Sequence, residues 1–256
     1  MIKGLDVSKF EWNVDWDVIK RSEYNHFVYV RAGQGTLKDE RFDHHWQSAK
    51  QAGIPRGAYW VYDPRYNAGK PKRQAEAFLQ ALDGDLGELP MAADIEKYTK
   101  GKWHGWKSWY DFIENSKALL PADWTGKFDA LGLPPLIVYT GFDYWNKQGP
   151  KTTETNAHQY FARFPLWLAW YGATGLAADL SVPPEAAGIM PLRNWQSWLF
   201  WQYGDKSTLE GVTDENGELT DVDMNLYNGT EEGFKQRFGL NIPALSEPGE
   251  PMTSGM

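Results

Sequence analysis

The chain has 256 residues, enough for one large domain, and α/β barrels commonly reach this length. Its net charge of −8 argues against a nucleic-acid partner, because a phosphate backbone is bound by a basic surface. It contains no cysteine, which excludes disulfides, zinc–thiolate sites and a cysteine nucleophile. The N-terminus lacks a signal-peptide pattern, and no apolar run approaches the roughly 18 residues of a membrane span. We therefore expect synthesis in the cytoplasm and no membrane insertion.

Short apolar runs alternate with amphipathic segments along most of the chain. The apolar runs predict strands at Ile2–Val7, Phe27–Arg31, Gly57–Tyr62, Met91–Ile95, Leu136–Tyr139, Leu166–Trp170, Leu199–Tyr203 and Val222–Leu226. The amphipathic segments predict helices at Trp16–Ser22, Phe42–Ala52, Lys72–Leu82, Trp106–Leu119, Thr155–Arg163 and Thr230–Phe238. Strands alternating with helices favour parallel βαβ units, and eight strands in one chain of this size favour a closed α/β barrel. We expect this barrel to be a single domain over residues 1–240.

The last part of the predicted domain is less regular. Helices are hard to place between the final strands, and Asn216-Gly217 predicts a type I′ hairpin turn, so we expect antiparallel strands there. A calcium-loop interpretation of Asp214 and Asn216 is disfavoured because the spacing does not match an EF-hand. The composition of residues 241–256 predicts a disordered tail or the stub of a linker.

Aromatic residues are unusually frequent, with 14 Trp, 13 Tyr and 12 Phe. A buried core explains about half of them. The remainder form clusters that we interpret as too dense for a core alone, such as Trp103, Trp106 and Trp109, and Trp195, Trp198 and Trp201. Flat apolar faces with a polar edge suit sugar rings, so the composition favours a carbohydrate ligand.

Two carboxylates, Asp94 and Glu96, end a predicted apolar strand and project from the same face. Active sites of α/β barrels are built at the carboxyl ends of the strands. Two acids held close together cannot both ionise freely, so the pKa of one is raised and a general acid becomes available near neutral pH. Cleavage of a glycosidic bond uses such a pair, although ion pairing or helix capping remains an alternative for either residue.

Further charged residues lie at other strand ends. Asp6 lies near the end of the first predicted strand and Asp223 lies within the last, and these strands are neighbours in a closed barrel. All four acids can therefore meet at one rim. Arg31 ends the second strand, where it either orients one of the acids or forms a structural ion pair.

Other catalytic patterns are missing or incomplete. Gly33-Gln-Gly35 has no third glycine, so we interpret it as a turn rather than a nucleotide loop. The five histidines form no metal-binding pattern, and His44-His45 is expected on a helix surface. No serine lies in a G-x-S-x-G motif. We therefore expect neither a cofactor nor a metal.

The motifs, taken in order, resemble the glycoside hydrolase family 25 lysozymes, also called Chalaropsis-type muramidases. Over roughly 230 residues they include Gly4-Leu-Asp-Val-Ser8, Val30-Arg-Ala-Gly-Gln-Gly35, Ala52-Gly-Ile-Pro-Arg-Gly-Ala-Tyr59, Asp94-Ile-Glu96, Pro135-Leu-Ile-Val-Tyr-Thr140, Pro165-Leu-Trp-Leu-Ala-Trp-Tyr171, Trp201-Gln-Tyr203 and Val222-Asp-Met-Asn225. One departure is Tyr59-Trp-Val-Tyr62, where the family usually continues Tyr-His-Phe.

The resemblance implies an irregular TIM-like barrel of five β/α units followed by three further strands. It also implies hydrolysis of the β-1,4 bond between N-acetylmuramic acid and N-acetylglucosamine in peptidoglycan. By position, Glu96 resembles the general acid, Asp94 the second catalytic carboxylate, and Asp6 and Asp223 the flanking acids. The residues expected to bind substrate are Arg31, Tyr59, Tyr62, Tyr139, Trp167, Trp170, Tyr171 and Gln202.

Several alternatives remain open at this point. Asp94 could attack the sugar directly, or the substrate's own N-acetyl group could participate. The barrel could be a non-catalytic wall-binding module, although intact acids argue against this, or the acids could hold a divalent metal. We expect a monomer that acts on the bacterial wall, either as a phage endolysin or as a released bacterial enzyme.

Overall fold

The computed structural model describes residues 1–65, 70–96, 105–172 and 179–240. Its strands are β1 (Ile2–Val7), β2 (Asn13–Val14), β3 (Phe27–Gln34), β4 (Leu37–Lys38), β5 (Arg56–Val61), β6 (Met91–Asp94), β7 (Leu136–Gly141), β8 (Leu166–Ala169), β9 (Phe200–Thr213) and β10 (Leu219–Tyr227). Its helices are α1 (Trp16–Arg21), α2 (Phe42–Ala52), α3 (Pro71–Leu82), α4 (Trp106–Leu119), α5 (Ala122–Ala130), α6 (Phe142–Gln148), α7 (Thr155–Phe161) and α8 (Glu231–Phe238). The predicted tail, residues 241–256, lies outside the described residues.

Eight of the strands close into a barrel. Strands β1, β3, β5, β6, β7, β8 and β9 pair in parallel in that order around the barrel. Strand β10 closes the ring by pairing antiparallel with both β9 and β1. Five β/α units precede β8, β9 and β10, so the predicted barrel, including its antiparallel final strand, is confirmed.

Aromatic side chains fill the inside of the barrel. The ring of Tyr29 lies 4.5 Å from that of Trp167 and 5.5 Å from that of Phe200, centroid to centroid, and Phe27 lies 4.8 Å from Phe200. A side-chain carbon at Gly57 would collide with the Tyr29 ring, so the packing requires glycine there. These buried rings therefore occupy the interior beneath the carboxyl ends of the strands.

The tryptophan clusters belong mainly to the core, which corrects the interpretation made from the sequence. Trp195, Trp198 and Trp201 are all buried, as is Trp109, whose ring stacks on Trp145 at 5.6 Å. Trp109 and Trp145 lie on the outer helices α4 and α6, whereas Trp201 lies on β9 and the other two lie in the segment before it, so aromatic packing occurs in both helices and the barrel wall. Trp106 is half-buried, and Trp103 lies outside the described residues.

The hairpin between β9 and β10 forms, but its turn is not type I′. That type requires positive φ at both central residues, whereas only Gly217 has one, at 82°. The Asp214 carboxylate oxygen Oδ1 accepts hydrogen bonds from the backbone N–H groups of Asn216 (2.8 Å) and Glu218 (3.0 Å). The aspartate side chain therefore stabilises a longer loop, in which glycine occupies the left-handed position after the turn.

All six predicted helices form, and their ends agree with the predictions to within two residues. Thr230, predicted as helical, is instead the N-cap of α8, where its hydroxyl accepts from the backbone N–H of Gly233 at 3.1 Å. Short elements such as α5 and α6 were not predicted. Among the described residues, no helix is both long enough and apolar enough to span a membrane.

Candidate active site

The four predicted acids meet at the mouth of the barrel. Asp94 is the last residue of β6, and Glu96 follows two residues later. Asp6 on β1 and Asp223 on β10 are direct partners in the antiparallel pairing that closes the barrel. All four side chains line one cavity of about 370 Å³. The proximity expected from the sequence is therefore present in the structure.

Most of the residues predicted to bind substrate also reach this cavity. Those that line it are Arg31, Tyr59, Tyr139, Trp167, Tyr171 and Gln202. Trp170 instead lines an adjoining groove of about 660 Å³, which shares Glu96, Tyr139 and Tyr171 with the first cavity. Tyr62 lines neither; it is buried with its ring 5.3 Å from that of Phe112 on α4. The structure therefore does not bring Tyr62 together with the other predicted site residues.

Gln202 links the acids to the tyrosines through both ends of its amide. Its Nε2 donates to Asp6 Oδ2 at 2.8 Å and to Asp223 Oδ2 at 3.0 Å. Its Oε1 accepts from the hydroxyls of Tyr139 at 2.7 Å and Tyr171 at 2.6 Å. The four partners determine the orientation of the amide, because only the nitrogen can donate to the carboxylates.

Asn225 is a second amide in this network, for which the sequence assigned no role. Its Nδ2 donates to Asp6 Oδ2 at 2.7 Å, and its Oδ1 accepts from Trp167 Nε1 at 2.7 Å. Burial raises the pKa of Asp6 to about 6, while the bonds from Asn225 and Gln202 act in the opposite direction. These amides thus stabilise the ionised form of an acid that its surroundings would otherwise keep protonated.

Asp94 is the most deeply buried of the predicted catalytic pair. Only 2% of its surface is exposed, and its Oδ1 is buried without a hydrogen-bond partner among the described residues. Burial, followed by the negative charges of Glu96 and Asp6, raises its pKa well above the usual range. An unsatisfied buried carboxylate oxygen is costly, so it marks a position where a ligand group can complete the site.

Glu96 stands at the rim, where its surface is partly exposed although neighbouring side chains surround its carboxyl. Desolvation within the mouth, followed by the negative charge of Asp6, raises its pKa to about 7, and the positive charge of Arg31 opposes this. Below that pH the side chain holds a proton. A general acid requires this state at neutral pH.

Arg31 combines the two roles left open by the sequence. Its Nε forms an ion pair with Asp39 Oδ2 at 2.7 Å, and its guanidinium lies 5.0 Å from the centroid of the Phe10 ring. Its positive charge also lowers the pKa values of Asp6, Asp94 and Glu96. Arg31 is thus held by a structural ion pair while it partly neutralises the acids.

Glu11 is a further acid of the cavity that the sequence reasoning missed. Its Oε2 accepts from the backbone N–H of Ser8 at 2.8 Å and from the Ser8 hydroxyl at 3.1 Å. Burial raises its pKa to about 7, with a smaller contribution from the charge of Asp6. Glu11 lies in a loop rather than at the end of a strand, so the strand-end pattern used for the other acids could not identify it.

The histidines differ in part from the expectation. His45 lies on the inner face of α2 and is completely buried, whereas His44 on the same helix is exposed. Trp46 and Phe42 on the same helix are also buried, so the apolar face is wider than the sequence pattern indicated. Within residues 1–65, 70–96, 105–172 and 179–240, no group of three histidine or acidic side chains has a metal-binding arrangement.

Comparison with known proteins identifies the family. The sequence model described as glycosyl hydrolases family 25 matches residues 5–212, which include Asp6, Asp94 and Glu96 but not Asp223. This chain belongs to that family. Family 25 membership accounts for the barrel, and it makes the protein a glycoside hydrolase.

Named relatives of this family 25 chain include lysozymes. Lysozyme M1 of Streptomyces globisporus is 28% identical over 233 residues, covering 90% of this chain and 68% of the relative. The structure of a bacterial lysozyme from Streptomyces coelicolor is 26% identical, with a TM-score of 0.64, and the match covers 93% of this chain and 98% of that one. A muramidase from Trichobolus zukalii, 21% identical with a TM-score of 0.63, covering 93% and 99%, shares the fold.

Proposed function

We propose that this family 25 glycoside hydrolase is a lysozyme that hydrolyses the β-1,4 bonds between N-acetylmuramic acid and N-acetylglucosamine in bacterial peptidoglycan. The observation that carries the proposal is the convergence of Asp6, Asp94, Glu96 and Asp223 on one cavity at the mouth of the barrel. Glycosidases need one carboxyl that holds a proton and a second group that stabilises or attacks the sugar. The lysozyme relatives support the choice of substrate.

Glu96 acts as the general acid in this proposal. It donates its proton to the glycosidic oxygen as the bond to C1 of the muramic acid breaks, and it later removes a proton from the attacking water. Its pKa of about 7 and its place at the rim support both steps, since the protonated and ionised forms are both well populated at neutral pH and the residue is accessible to water.

Asp94 acts as the second catalytic carboxylate. Its buried oxygen, unpaired among the described residues, is available either to bond to C1 or to accept a hydrogen bond from the substrate's N-acetyl group. In the second route the acetamido oxygen attacks C1, and the aspartate orients and stabilises it. Both routes retain the configuration at C1.

Asp6 and Asp223 support the reacting carboxyls electrostatically. The negative charge of Asp6 raises the pKa values of Glu96, Asp94 and Asp223. Gln202 holds both flanking carboxylates on one amide nitrogen, which keeps them in the cavity. Removing the charge of Asp6 would therefore lower the pKa of the general acid.

The test compares the wild type with Glu96→Gln and Asp94→Asn on purified peptidoglycan. We expect the wild type to release products with muramic acid at the reducing end, and both variants to lose this activity while still binding the wall. Glu215→Gln, an exposed change of the same kind on the β9–β10 turn, is the matched control and should remain active. Tight wall binding without cleavage by the wild type would leave a non-catalytic wall-binding module.

The bacterial wall is the site of action that this function requires. A monomeric state, the lack of a nucleic-acid partner, cytoplasmic synthesis and a role in phage-mediated lysis remain predictions from the sequence.

A further inference from the structure

Phe10 is an aromatic side chain that remains exposed beside the active-site cavity. Its surface is 64% exposed, whereas most large apolar side chains in the described residues are buried. It lies in the loop that follows β1, and it lines the cavity together with Asp6, Glu11 and Arg31. A single exposed apolar residue is ordinary, but one at the mouth of a catalytic cavity is positioned to meet the substrate.

The loop that carries Phe10 is held by hydrogen bonds to its own residues and to Asp39. The Phe10 N–H donates to the Ser8 hydroxyl at 3.3 Å, and Ser8 in turn donates to Glu11. The Lys9 N–H donates to Asp39 Oδ2 at 3.3 Å, the same oxygen that pairs with Arg31. The loop is therefore positioned before any substrate arrives, which reduces the entropy lost on binding.

Arg31 supports the Phe10 ring from one side. The guanidinium lies 5.0 Å from the ring centroid, a cation–π arrangement, and the ion pair with Asp39 fixes the guanidinium in turn. Because the ring is nevertheless largely exposed, its other face is open to solvent. An aromatic face held in this way can stack against the C–H face of a sugar.

The barrel places Phe10 across the mouth from the second groove. In the ring of eight strands, β1 lies opposite β7, and the groove is lined by residues that follow β7 and β8, including Tyr144 and Trp170. Phe10 and the aromatic residues of the groove therefore lie at opposite ends of a path across the mouth of the barrel that passes over the four acids. A glycan strand is long enough to occupy both ends at once.

Glu96 indicates which end holds which part of the glycan. It lines both the cavity and the groove, whereas Asp6, Asp94 and Asp223 line only the cavity. The general acid protonates the oxygen of the leaving sugar, so the leaving sugar lies on the groove side. The sugar that is attacked, and those preceding it in the strand, must then extend towards Phe10.

We propose that Phe10 is a stacking platform for a peptidoglycan sugar on the non-reducing side of the cleaved bond. This inference rests on the proposed function, because it takes the polarity of the glycan from the role of Glu96. Phe10 then determines how tightly long strands bind, and it takes no part in the bond-breaking step.

The experiment uses soluble glycan strands of alternating N-acetylglucosamine and N-acetylmuramic acid, freed of peptide by an amidase. The wild type is compared with Phe10→Ala, Phe10→Trp and Leu119→Ala by release of reducing ends. Leu119, 42% exposed at the end of α4 away from the mouth, is the matched apolar control. Binding of the same strands is also measured with Glu96→Gln and with the Glu96→Gln/Phe10→Ala double variant, which removes turnover from the comparison.

We expect Phe10→Ala to raise KM by about three- to tenfold, the size of one lost aromatic contact, with kcat within about twofold of wild type. The double variant should weaken binding by the same factor, and Phe10→Trp and Leu119→Ala should keep the wild-type KM. Unchanged KM and unchanged affinity in Phe10→Ala would overturn the proposal. A loss of kcat at unchanged KM would also overturn it, because that result would indicate that Phe10 acts through Arg31. If the wild type itself releases no reducing ends, the proposed function fails, and the binding comparison still decides whether Phe10 contacts the glycan.

Discussion

Glu11→Gln should raise the free energy of unfolding at alkaline pH and make that free energy less dependent on pH. Glu11 is 9% exposed, and burial raises its pKa from 4.5 to about 7. A carboxyl whose pKa is higher in the folded than in the unfolded state favours folding below its unfolded pKa, and this contribution is lost as pH rises through the folded value. The loss therefore falls between about pH 4.5 and pH 7.

The magnitude follows from the size of that shift. Each unit of pKa corresponds to about 1.4 kcal/mol, so ionisation of Glu11 lowers the free energy of unfolding by about 3 kcal/mol above pH 7. The glutamine oxygen can still accept from both Ser8 donors, so the loop keeps its hydrogen bonds. At pH 8 the variant should be more stable than wild type by roughly this amount, and at pH 4 the difference should vanish.

Urea unfolding at several pH values between 4 and 8 measures the effect. Asp6, Asp223 and Arg31 also titrate or carry charge around Glu11, so the stability of the variant should keep a residual pH dependence. Glu215→Gln makes the same change of charge on the exposed hairpin turn and should leave the pH dependence as in wild type. Parallel curves for wild type and Glu11→Gln over the whole range would refute the reasoning.

Three further predictions concern the acids and the amide that binds them. The kcat/KM on soluble glycan should fall as pH rises above about 7, because Glu96 then loses the proton that it must donate, and a flat profile to pH 9 would contradict its role. Gln202→Met should lower the free energy of unfolding, measured in urea, by about 3 kcal/mol or more, because two carboxylates and two tyrosine hydroxyls lose a hydrogen-bond partner. Gln80→Met, the same change at an exposed position on α3, should leave the free energy of unfolding unchanged. Activity should survive treatment with EDTA, since the described residues contain no group with a metal-binding arrangement. If EDTA abolished the activity and added Ca²⁺ or Zn²⁺ restored it, a metal-dependent hydrolase would be favoured instead.

The barrel could be predicted from the sequence because its strands are continuous apolar runs. Strand β1 has the predicted bounds, and β6 and β8 each end one residue early, since parallel strands in a barrel are buried on both faces. The same rule explains the main error. Strand β9 continues from Phe200 to Thr213, and its second half alternates between exposed and half-buried residues, so it lacked the apolar signal. That half forms the hairpin arm that pairs with β10 beyond the barrel wall.

The acids at strand ends could be predicted for a related reason. A carboxylate at the end of a buried parallel strand, or just after it, has few positions other than the mouth of the barrel, so the places of Asp94, Glu96 and Asp6 in the chain predict their convergence. Glu11 could not be, because its burial depends on how the loop after β1 folds back through Ser8. Tyr62 shows the opposite error: it comes just after β5, as Glu96 comes just after β6, yet its ring packs against Phe112 on α4.

The amides explain how the cluster of acids can exist in a folded protein. Four carboxyls within one cavity repel each other when ionised. The charge of Asp6 raises the pKa values of Asp94, Glu96 and Asp223, and the charges of Glu96 and Asp223 raise that of Asp94 as well. Gln202 and Asn225 offset this for Asp6 by donating to the same oxygen, while the oxygen atoms of both amides accept from aromatic side chains of the wall. Among the described residues, no equivalent donor reaches Oδ1 of Asp94. The repulsion between the acids is therefore not offset by a hydrogen bond at this oxygen, which belongs to the carboxyl that is to react. The stability lost at that atom is recovered only when a substrate supplies the missing partner, and binding energy is thereby directed to the carboxylate beside the bond to be cleaved.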